Sequence, residues 1–284
     1  VAENIIESAA HTDILPLIFF SLLFGGVLTT LGAKGQIVLD FFDGVAEAMM
    51  SMVNLIMYTA PIGIFALIAA RLGKAGGGTA FFGEIAKLGN YSLCVILALL
   101  FHAVLLGGIY ALLARRNPIQ FFRTLFKALT TAFSTASSSA TLPLTMECSE
   151  EAGVSPEATA FVLPLGATVN MDGTALYEAA AAIFIAQIYF PITGQELTMM
   201  TQVTIAITAT LAAIGAAGIP EAGLVTMLIV LNAAGLPVEA IGLILMVDWL
   251  LDRFRTAVNC FGDSVGAAIV DGVMPKDDAT PPEP

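Results

Sequence analysis

An apolar part of the chain carries four charged side chains. Residues 249–264 read WLLDRFRTAVNCFGDS and include Asp252, Arg253, Arg255 and Asp263. Placing each such charge at the centre of a hydrocarbon layer costs on the order of 3 kcal/mol. We therefore expect these charges to serve a function rather than to be tolerated by chance.

Read as a helix, this segment gathers its polar residues on one face. Steps of about 100° per residue place five side chains within an arc of about 80°, along about 22 Å of helix. These residues are Asp248, Asp252, Arg255, Asn259 and Asp263. Thr256 lies beside this polar stripe, and Arg253 points away from it. The stripe is expected to line a buried polar site.

The composition is that of a membrane protein. The chain has 284 residues, of which 57% are hydrophobic and only 12% charged, and its mean hydropathy is +0.88. At about 20 apolar residues per crossing, this length supplies about half a dozen helical crossings. We predict an all-α membrane protein, a polytopic helical bundle in the lipid bilayer. No basic patch suggests a nucleic-acid partner.

The first part of the chain contains ordinary apolar segments. The second of them contains Pro61, which is expected to kink its helix. The third ends before the sequence RRNP at 115–118. We predict crossings over 14–31, 41–72 and 91–114, joined by loops at 32–36 and 73–79.

The later part of the chain contains apolar segments with polar interruptions. Residues 121–146 pass into STASSSATLP (134–143), whose serines favour unwinding of a helix, which predicts two half-helices joined by a tip. The next segment, 156–190, is interrupted by NMDGT at 170–174. The pattern recurs in 201–235, broken by GAAGIPEAG at 215–223, and in the crossing 236–273. This recurrence predicts two re-entrant hairpins and broken helices in an inverted repeat.

Acidic residues outnumber basic residues in these segments. Five of these acids are set against the two arginines of the charged stretch, Arg253 and Arg255, so the sum lacks positive charge. The five acids are Asp172, Glu178, Asp248, Asp252 and Asp263. Either Na⁺, bound by oxygen ligands, or protons could supply it. Asn170 with Asp172, and Asn259 with Asp263, are matching Asn/Asp sets in the two halves.

Two residues of the stripe suit an acidic amino acid. The planar guanidinium of Arg255 matches a carboxylate, and Asp252, one turn away, suits an ammonium group. Helix ends at the hairpin tips would add backbone N–H groups for a second carboxylate. The pair therefore predicts a receptor for aspartate or glutamate.

Four motifs resemble the dicarboxylate/amino acid:cation symporter family, which includes the excitatory amino acid transporters. They occur in the family's order: SSSATLP at 137–143, NMDGTALYE at 170–178, GAAGIPEAG at 215–223 and DRFRTAVNCFGDS at 252–264. The resemblance covers essentially the whole chain but only the later part of the family's topology. It implies a secondary active transporter that takes up acidic amino acids with Na⁺ by alternating access, with co-transport of H⁺ as a further option if Glu178 carries a proton.

The resemblance implies a role for each residue of the motifs. Arg255 would hold the side-chain carboxylate of the substrate, and Asp252 its amino group. The substrate site as a whole would consist of Ser138, Ser139, Thr174, Gly218, Asp252, Arg255, Thr256 and Asn259. The tip at 215–223 would be the outer gate.

The resemblance also implies cation sites. One Na⁺ would be bound by the carbonyls of Gly166, Asn170 and Asn259 with the Asp263 carboxylate. A second would use backbone oxygens of Thr168, Ala213, Ile214 and Ala216, with Met171 nearby. A third would use Asp172 and Asn170 together with hydroxyls from a helix that this sequence lacks. Glu178 is the candidate for carrying a proton, since proton-coupled members of the family have glutamate there.

The resemblance divides the chain at residue 115. Residues 1–115 would hold the end of the fourth helix of the family and its fifth and sixth helices. Residues 116–284 would be the transport core, with hairpin 1, helix 7, hairpin 2, helix 8 and a short tail. Three preceding helices would be missing, which agrees with the absence of an initiator methionine. The family also implies a homotrimer of the full-length protein.

Basic residues predict the orientation of the chain in the cell membrane. If each crossing changes sides and each hairpin returns to its own side, Arg71, Lys74 and Lys87 face outward. The more basic side is cytoplasmic, so the C-terminus is expected there, with Lys34, Arg115, Arg116, Arg123, Lys127 and Lys276.

Simpler interpretations stand beside these. Glu178 could hydrogen-bond the broken backbone near it, Asp248 could brace a hairpin tip, and His102 could be a packing residue of an apolar helix. The protein could instead carry C4-dicarboxylates, which would not need Asp252, or form an ion channel along the stripe. No pattern of catalytic residues predicts an enzyme.

Overall fold

The described part of the chain is helical throughout. The computed structural model describes residues 4–10, 14–59, 62, 65–66, 69, 73, 78–214, 216, 218, 220 and 222–274. Its α-helices are α1 (Ile5–Ala10), α2 (Ile14–Thr30), α3 (Ala33–Met57), α4 (Gly78–Leu113), α5 (Pro118–Thr135), α6 (Ser138–Glu151), α7 (Pro156–Val169), α8 (Asp172–Thr193), α9 (Met199–Ala213), α10 (Ala222–Ala233) and α11 (Leu245–Val273). A 3₁₀ turn, Val238–Leu243, precedes α11. The all-α fold is thus confirmed.

Two helices in the described residues are long and apolar enough to cross a membrane. They cover Ile85–Leu113 and Pro156–Thr193, the second including the break between α7 and α8. Helix α2 has 17 residues, at the lower end of the length that a crossing needs. The predicted crossing 41–72 reaches positions outside the described residues, and its proline, Pro61, is one of these.

The chain separates into two compact units, residues 1–87 and 88–284, with the boundary inside α4. In the first unit, α2 packs against α1 and α3. The predicted loop at 32–36 is wrong: only Leu31 and Gly32 form the turn, and α3 begins at Ala33. Gly32 adopts a φ of 56°, which glycine permits without steric cost. Gly35 lies so close to the carbonyl of Leu28 that a side chain there would clash.

Helix α4 ends within one residue of the position that the sequence predicts. Helix α4 ends at Leu113, and Arg115 takes a left-handed φ of 54°. Asn117 then caps α5, because its Oδ1 accepts from the backbone N–H groups of Ile119 at 2.9 Å and Gln120 at 3.3 Å. Pro118 occupies the first helical position, where its missing N–H is not needed. The stretch RRNP therefore ends one helix and begins the next.

The first pair of half-helices turns within two residues. Ala136 ends α5 in the left-handed region, with φ of 50°, and Ser137 caps α6 by accepting from Ala140 N–H at 3.2 Å. The predicted unwinding is therefore confined to Ala136 and Ser137. The rest of the serine run already belongs to α6.

The later break and hairpin lie where the polar interruptions predict them. Asn170 and Met171 separate α7 from α8. Helix α9 ends at Ala213 and α10 begins at Ala222. Helix α11 packs against α5, α6, α7 and α8, so it is the common neighbour of the first pair of half-helices and of the broken segment α7–α8.

Two apolar clusters hold the second unit together. One includes Leu99, Ile185, Met227 and Leu251 from α4, α8, α10 and α11. The other lies around α5, α6 and α7, and it includes Phe121, Leu125, Leu163 and Phe261. Along α11, the buried polar residues Asp252 and Arg255 lie between Leu251 of the first cluster and Phe261 of the second. The predicted transport core, residues 116–284, and the inverted repeat remain predictions.

Candidate substrate and cation site

Helix α11 places the polar stripe in the interior of the second unit. All five residues are buried, from 1% exposed at Asp248 to 4% at Asp252. Arg253 is only partly buried and donates instead to the carbonyls of Phe133 at 3.1 Å and Ser134 at 2.7 Å, at the end of α5. The predicted separation between the stripe and Arg253 is therefore confirmed.

Arg255 is the centre of this polar group. Its Nε and Nη2 donate to one oxygen of Asp252, Oδ1, at 2.9 and 2.7 Å. Its Nη1 donates to Asp248 Oδ1 at 3.1 Å, and its Cζ lies 4.2 Å from the centre of the Tyr177 ring, a cation–π contact. Asp248 was expected to brace a hairpin tip, but its structural partner is Arg255, two turns along the same helix.

A small pocket lies against these residues. It holds about 10 Å³ of space, roughly room for one water molecule. Most of the predicted substrate residues line it, and both hairpins contribute: Ala136, Ser138, Met171, Thr174, Gly218, Ala222, Gly223, Asp252, Arg255, Thr256 and Asn259. Ser139, also predicted, is exposed and contacts Gly218 beside the pocket. The pocket is therefore too small for an amino acid.

The two hairpin tips are hydrogen-bonded to each other at this pocket. The carbonyl of Gly218 accepts from the Ser137 hydroxyl at 2.7 Å and from the Ser139 N–H at 3.2 Å. A Cβ added to Gly218 would lie 2.7 Å from the carbonyl oxygen of Ala167 and even closer to the Ser139 hydroxyl. Only glycine fits this contact between the tips.

The residues of the first predicted cation site lie together. The amide of Asn170 donates to Asp263 Oδ1 at 3.0 Å, and a Cβ on Gly166 would lie 2.6 Å from the carboxyl carbon of Asp263. Asn259 lies one turn earlier on α11, where its Oδ1 accepts from Gly173 N–H at 2.7 Å and its Nδ2 donates to Thr174 at 3.1 Å. Asn170 and Asp263, from the two matching sets, are thus paired with each other.

The second predicted site is brought together in part. Met171, Ala213 and Ala216 form one buried cluster where the break after α7 meets the end of α9. Ile214 follows directly after α9. Thr168 lies at the end of α7, and its hydroxyl donates to the Leu165 carbonyl at 3.1 Å within that helix.

Sequence reasoning missed the partner of Asp172. The Nε2 atom of His102, on α4, lies 2.7 Å from Asp172 Oδ2. The interpretation of His102 as a packing residue is therefore wrong. A single histidine in an apolar helix carries no periodic signal, so the contact is visible only once α4 and α8 are placed together.

Glu178 is fully buried, at 0% exposed. Its Oε1 accepts a hydrogen bond from the Thr226 hydroxyl on α10. Its Oε2 has no hydrogen-bond partner among the described residues. Glu178 was expected to hydrogen-bond the broken backbone beside it, but its partner is the side chain of Thr226 in the second hairpin.

The oxygen chemistry of the site suits a monovalent cation. No cluster of three His, Cys, Asp or Glu side chains that would hold a metal ion occurs in the part of the chain that the structure describes. The predicted cation ligands are instead mostly backbone carbonyls at helix breaks, with single carboxylates. Such oxygens are the groups that interrupted membrane helices offer to Na⁺.

The fold and the site together define a helical membrane protein with a small polar pocket at the ends of interrupted helices. The sequence pattern of the sodium:dicarboxylate symporter family matches residues 1–273. The chain belongs to this family, whose members are transporters rather than enzymes.

Several curated proteins are similar to this chain. It is 49% identical to excitatory amino acid transporter 3 of Mus musculus over 267 residues, which are 93% of this chain and 50% of that protein. It is 51% identical to excitatory amino acid transporter 1 of Homo sapiens over 266 residues, 93% and 48% of the two chains. Excitatory amino acid transporter 4 of Mus musculus is 50% identical over 275 residues, 95% and 47%. The chain spans about half the length of these relatives.

Proposed function

We propose that the protein is a secondary active transporter that carries acidic amino acids, glutamate or aspartate, together with Na⁺ by alternating access. The observation that supports this most directly is the environment of Arg255. It is 2% exposed, paired with two aspartates, and borders a small pocket that both hairpin tips line. A buried guanidinium of this kind is suited to a carboxylate that enters the pocket.

The pairing of Arg255 with Asp252 suggests how the substrate would bind. Both Nε and Nη2 now meet a single carboxylate oxygen. A substrate carboxylate would take over these donors, and Asp252 would then be released to bind the substrate ammonium group. The pocket would have to widen for this exchange, since it now has room for little more than a water molecule. Movement of the tip around Gly218 away from the serines would widen it.

The charge balance supports coupling to cations. Among the buried described residues, four carboxyl groups accompany a single guanidinium: Glu178, Asp248, Asp252 and Asp263 with Arg255. Unpaired buried charge is costly. Na⁺ bound near Asp263 would therefore favour the closed, loaded state, which makes substrate binding depend on the Na⁺ gradient.

The decisive experiment is a binding titration of the intact protein with L-aspartate at zero and high Na⁺. We expect tight, saturable binding only with Na⁺, because binding of the two is linked. Equal binding under both conditions would refute Na⁺ coupling. Flux of substrate only down its own gradient would instead favour the ion channel.

A C4-dicarboxylate carrier is the second candidate. The burial of Asp252 beside Arg255 favours an amino acid, because a dicarboxylate without an ammonium group would leave this aspartate near two like charges. We expect aspartate to compete far better than succinate. Arg255→Cys should weaken acidic ligands selectively, and equal loss of neutral and acidic ligands would count against Arg255 as the selectivity residue.

Glu178 is proposed to carry a proton with the substrate. It is completely buried, and one of its oxygens lacks a partner among the described residues, a position where an ionised carboxylate is costly. Glu178→Gln mimics the protonated form. Substrate-driven proton uptake should disappear in this variant while Na⁺-dependent binding remains. Proton uptake that persists unchanged would refute the role.

The remaining proposals concern the assembled protein. We propose a multi-pass cell-membrane protein with a cytoplasmic C-terminus, two re-entrant hairpins and a homotrimeric full-length form. Accessibility of cysteines introduced near Arg116 and Glu196 from each side of sealed vesicles tests the orientation. Mass measurement of the intact protein in detergent tests the trimer.

A further inference from the structure

His102 lies on α4 at a position where the helix is otherwise apolar. Its Nε2 is 2.7 Å from Oδ2 of Asp172, the first residue of α8. The side chains are only partly exposed, 27% for His102 and 19% for Asp172. The contact therefore joins two helices through half-buried side chains, and it falls on a carboxylate that the family resemblance assigns to a third cation site.

The structure fixes the Asp172 carboxylate from three directions. Oδ1 accepts from the N–H of Gly173 at 2.9 Å, and Oδ2 meets His102. Behind the carboxylate lies the bare backbone of Gly262 on α11, where a Cβ would be 2.7 Å from Oδ2. Rotation of the carboxylate about its bond to Cβ would break the histidine contact. The contact with His102 thus determines which lone pairs of the Asp172 carboxylate remain free, and one free lone pair is on Oδ1.

We propose that His102 is a positioning residue for cation binding: its imidazole donates Nε2–H to Asp172 Oδ2 and orients the carboxylate so that Oδ1 faces the cation. The inference rests on the proposed function, since Asp172 has this role only if the protein binds Na⁺. Partners that hydrogen-bond a ligating carboxylate commonly change metal affinity by about 10- to 100-fold when they are removed. His102 does not contact substrate in this arrangement.

The test measures the Na⁺ concentration that half-saturates L-aspartate binding to the intact protein. His102→Leu removes the donor, and we expect about a tenfold higher Na⁺ requirement, with unchanged L-aspartate affinity once Na⁺ is saturating. His102→Gln keeps an N–H group at nearly the same place and should restore most of the Na⁺ affinity. Ser92→Ala is the matched control, because its hydroxyl on the same helix donates only to the Leu88 carbonyl.

A purely structural contact gives a different pattern. In that case His102→Leu and His102→Gln would both lower thermal stability and leave the Na⁺ requirement at the wild-type value, which would overturn the proposal. An equal shift in both variants would also overturn it, because the donor would not matter. In an Asp172→Asn background, His102→Leu should add no further shift. If His102→Leu fails to fold, the comparison of His102→Gln with the wild type and with Asp172→Asn decides the question.

Failure of the inference and failure of the proposed function are separate results. A wild-type protein that binds L-aspartate equally with and without Na⁺ refutes the proposed function. A wild-type protein with clear Na⁺ dependence, together with unshifted His102 variants, refutes only the positioning role.

Discussion

The two helical hairpins end at the same pocket, but they turn in different ways. The α5–α6 hairpin turns within Ala136 and Ser137, with a serine cap on α6 and Arg253 bonded to the last carbonyls of α5. The α9–α10 hairpin leaves its first helix at Ala213 and resumes helix only at Ala222. Its described tip residue Gly218 is fixed by the serines of the first hairpin.

This difference indicates which hairpin is the fixed support. The first turn is held by hydrogen bonds within its own hairpin and by a charged side chain of α11. The second is held at Gly218 by two hydrogen bonds that cross to the other hairpin. Among the described residues, opening the pocket at the second tip breaks the two hydrogen bonds to the Gly218 carbonyl. Opening it at the first would also disrupt a helix cap and the Arg253 contact.

The largest expected effect comes from filling the contact between the tips. Gly218→Ala places a Cβ against the Ala167 carbonyl, which cannot move without its helix. Substrate affinity should fall by more than about tenfold, because about 1.4 kcal/mol of strain already produces that factor. A titration with L-aspartate at saturating Na⁺ measures this loss of affinity.

Gly242→Ala is the matched control for Gly218→Ala, since a Cβ at Gly242 meets nothing within 4 Å. If Gly218→Ala binds like the wild type, the contact between the tips does not limit closure, and the contrast between the hairpins has no functional meaning.

A smaller effect is expected from the serine that bonds across the tips. Ser137→Ala removes the hydrogen bond to Gly218 and the cap of α6. Loss of the crossing bond is worth about 1 kcal/mol, or about fivefold in substrate affinity, and loss of the cap should also lower thermal stability. Binding and thermal unfolding in detergent measure the two parts separately.

Ser134→Ala serves as its control, because the Ser134 hydroxyl donates only along α5 to Thr130 at 2.8 Å. An affinity loss as large in Ser134→Ala as in Ser137→Ala would show that general weakening of the hairpin, rather than the crossing bond, is responsible.

The smallest effect concerns the left-handed residue of the first turn. Ala136 has a φ of 50°, which costs an alanine about 1 kcal/mol relative to the right-handed region. Ala136→Gly should therefore raise stability by less than about 1 kcal/mol, because glycine also loses more chain entropy on folding. Thermal unfolding of the purified protein measures this change.

The control for this turn is Ala132→Gly, in the buried interior of α5, which should lower stability by about 1 kcal/mol. If both glycine variants lose stability equally, the left-handed geometry at Ala136 is not a source of strain.

Residues spaced on one helix were the most predictable part of the site. Counting turns placed Asp252, Arg255, Asn259 and Asp263 on one face, and all four are buried. The interruptions at 170–174 and 215–223 likewise predicted where helices end, because polar residues and glycine weaken a helix at those points.

Contacts between distant segments could not be predicted in the same way. The contacts of His102 with Asp172 and of Thr226 with Glu178 join residues that share no spacing rule. The loop predicted at 32–36 failed for a different, local reason: the chain turns within Leu31 and Gly32, and Gly35 already lies in the next helix, close to the Leu28 carbonyl. The roles assigned to the cation ligands rest on family resemblance and stay predictions.

The bond between Thr226 and Glu178 joins the middle of α8 to α10, the second arm of the tip that contacts Ser137. Under the proposed proton role of Glu178, a change of charge at this carboxyl group would act directly on the second hairpin through this hydrogen bond. Proton release would then be coupled to opening of the proposed gate, and pH would affect the rate of unloading as well as the equilibrium.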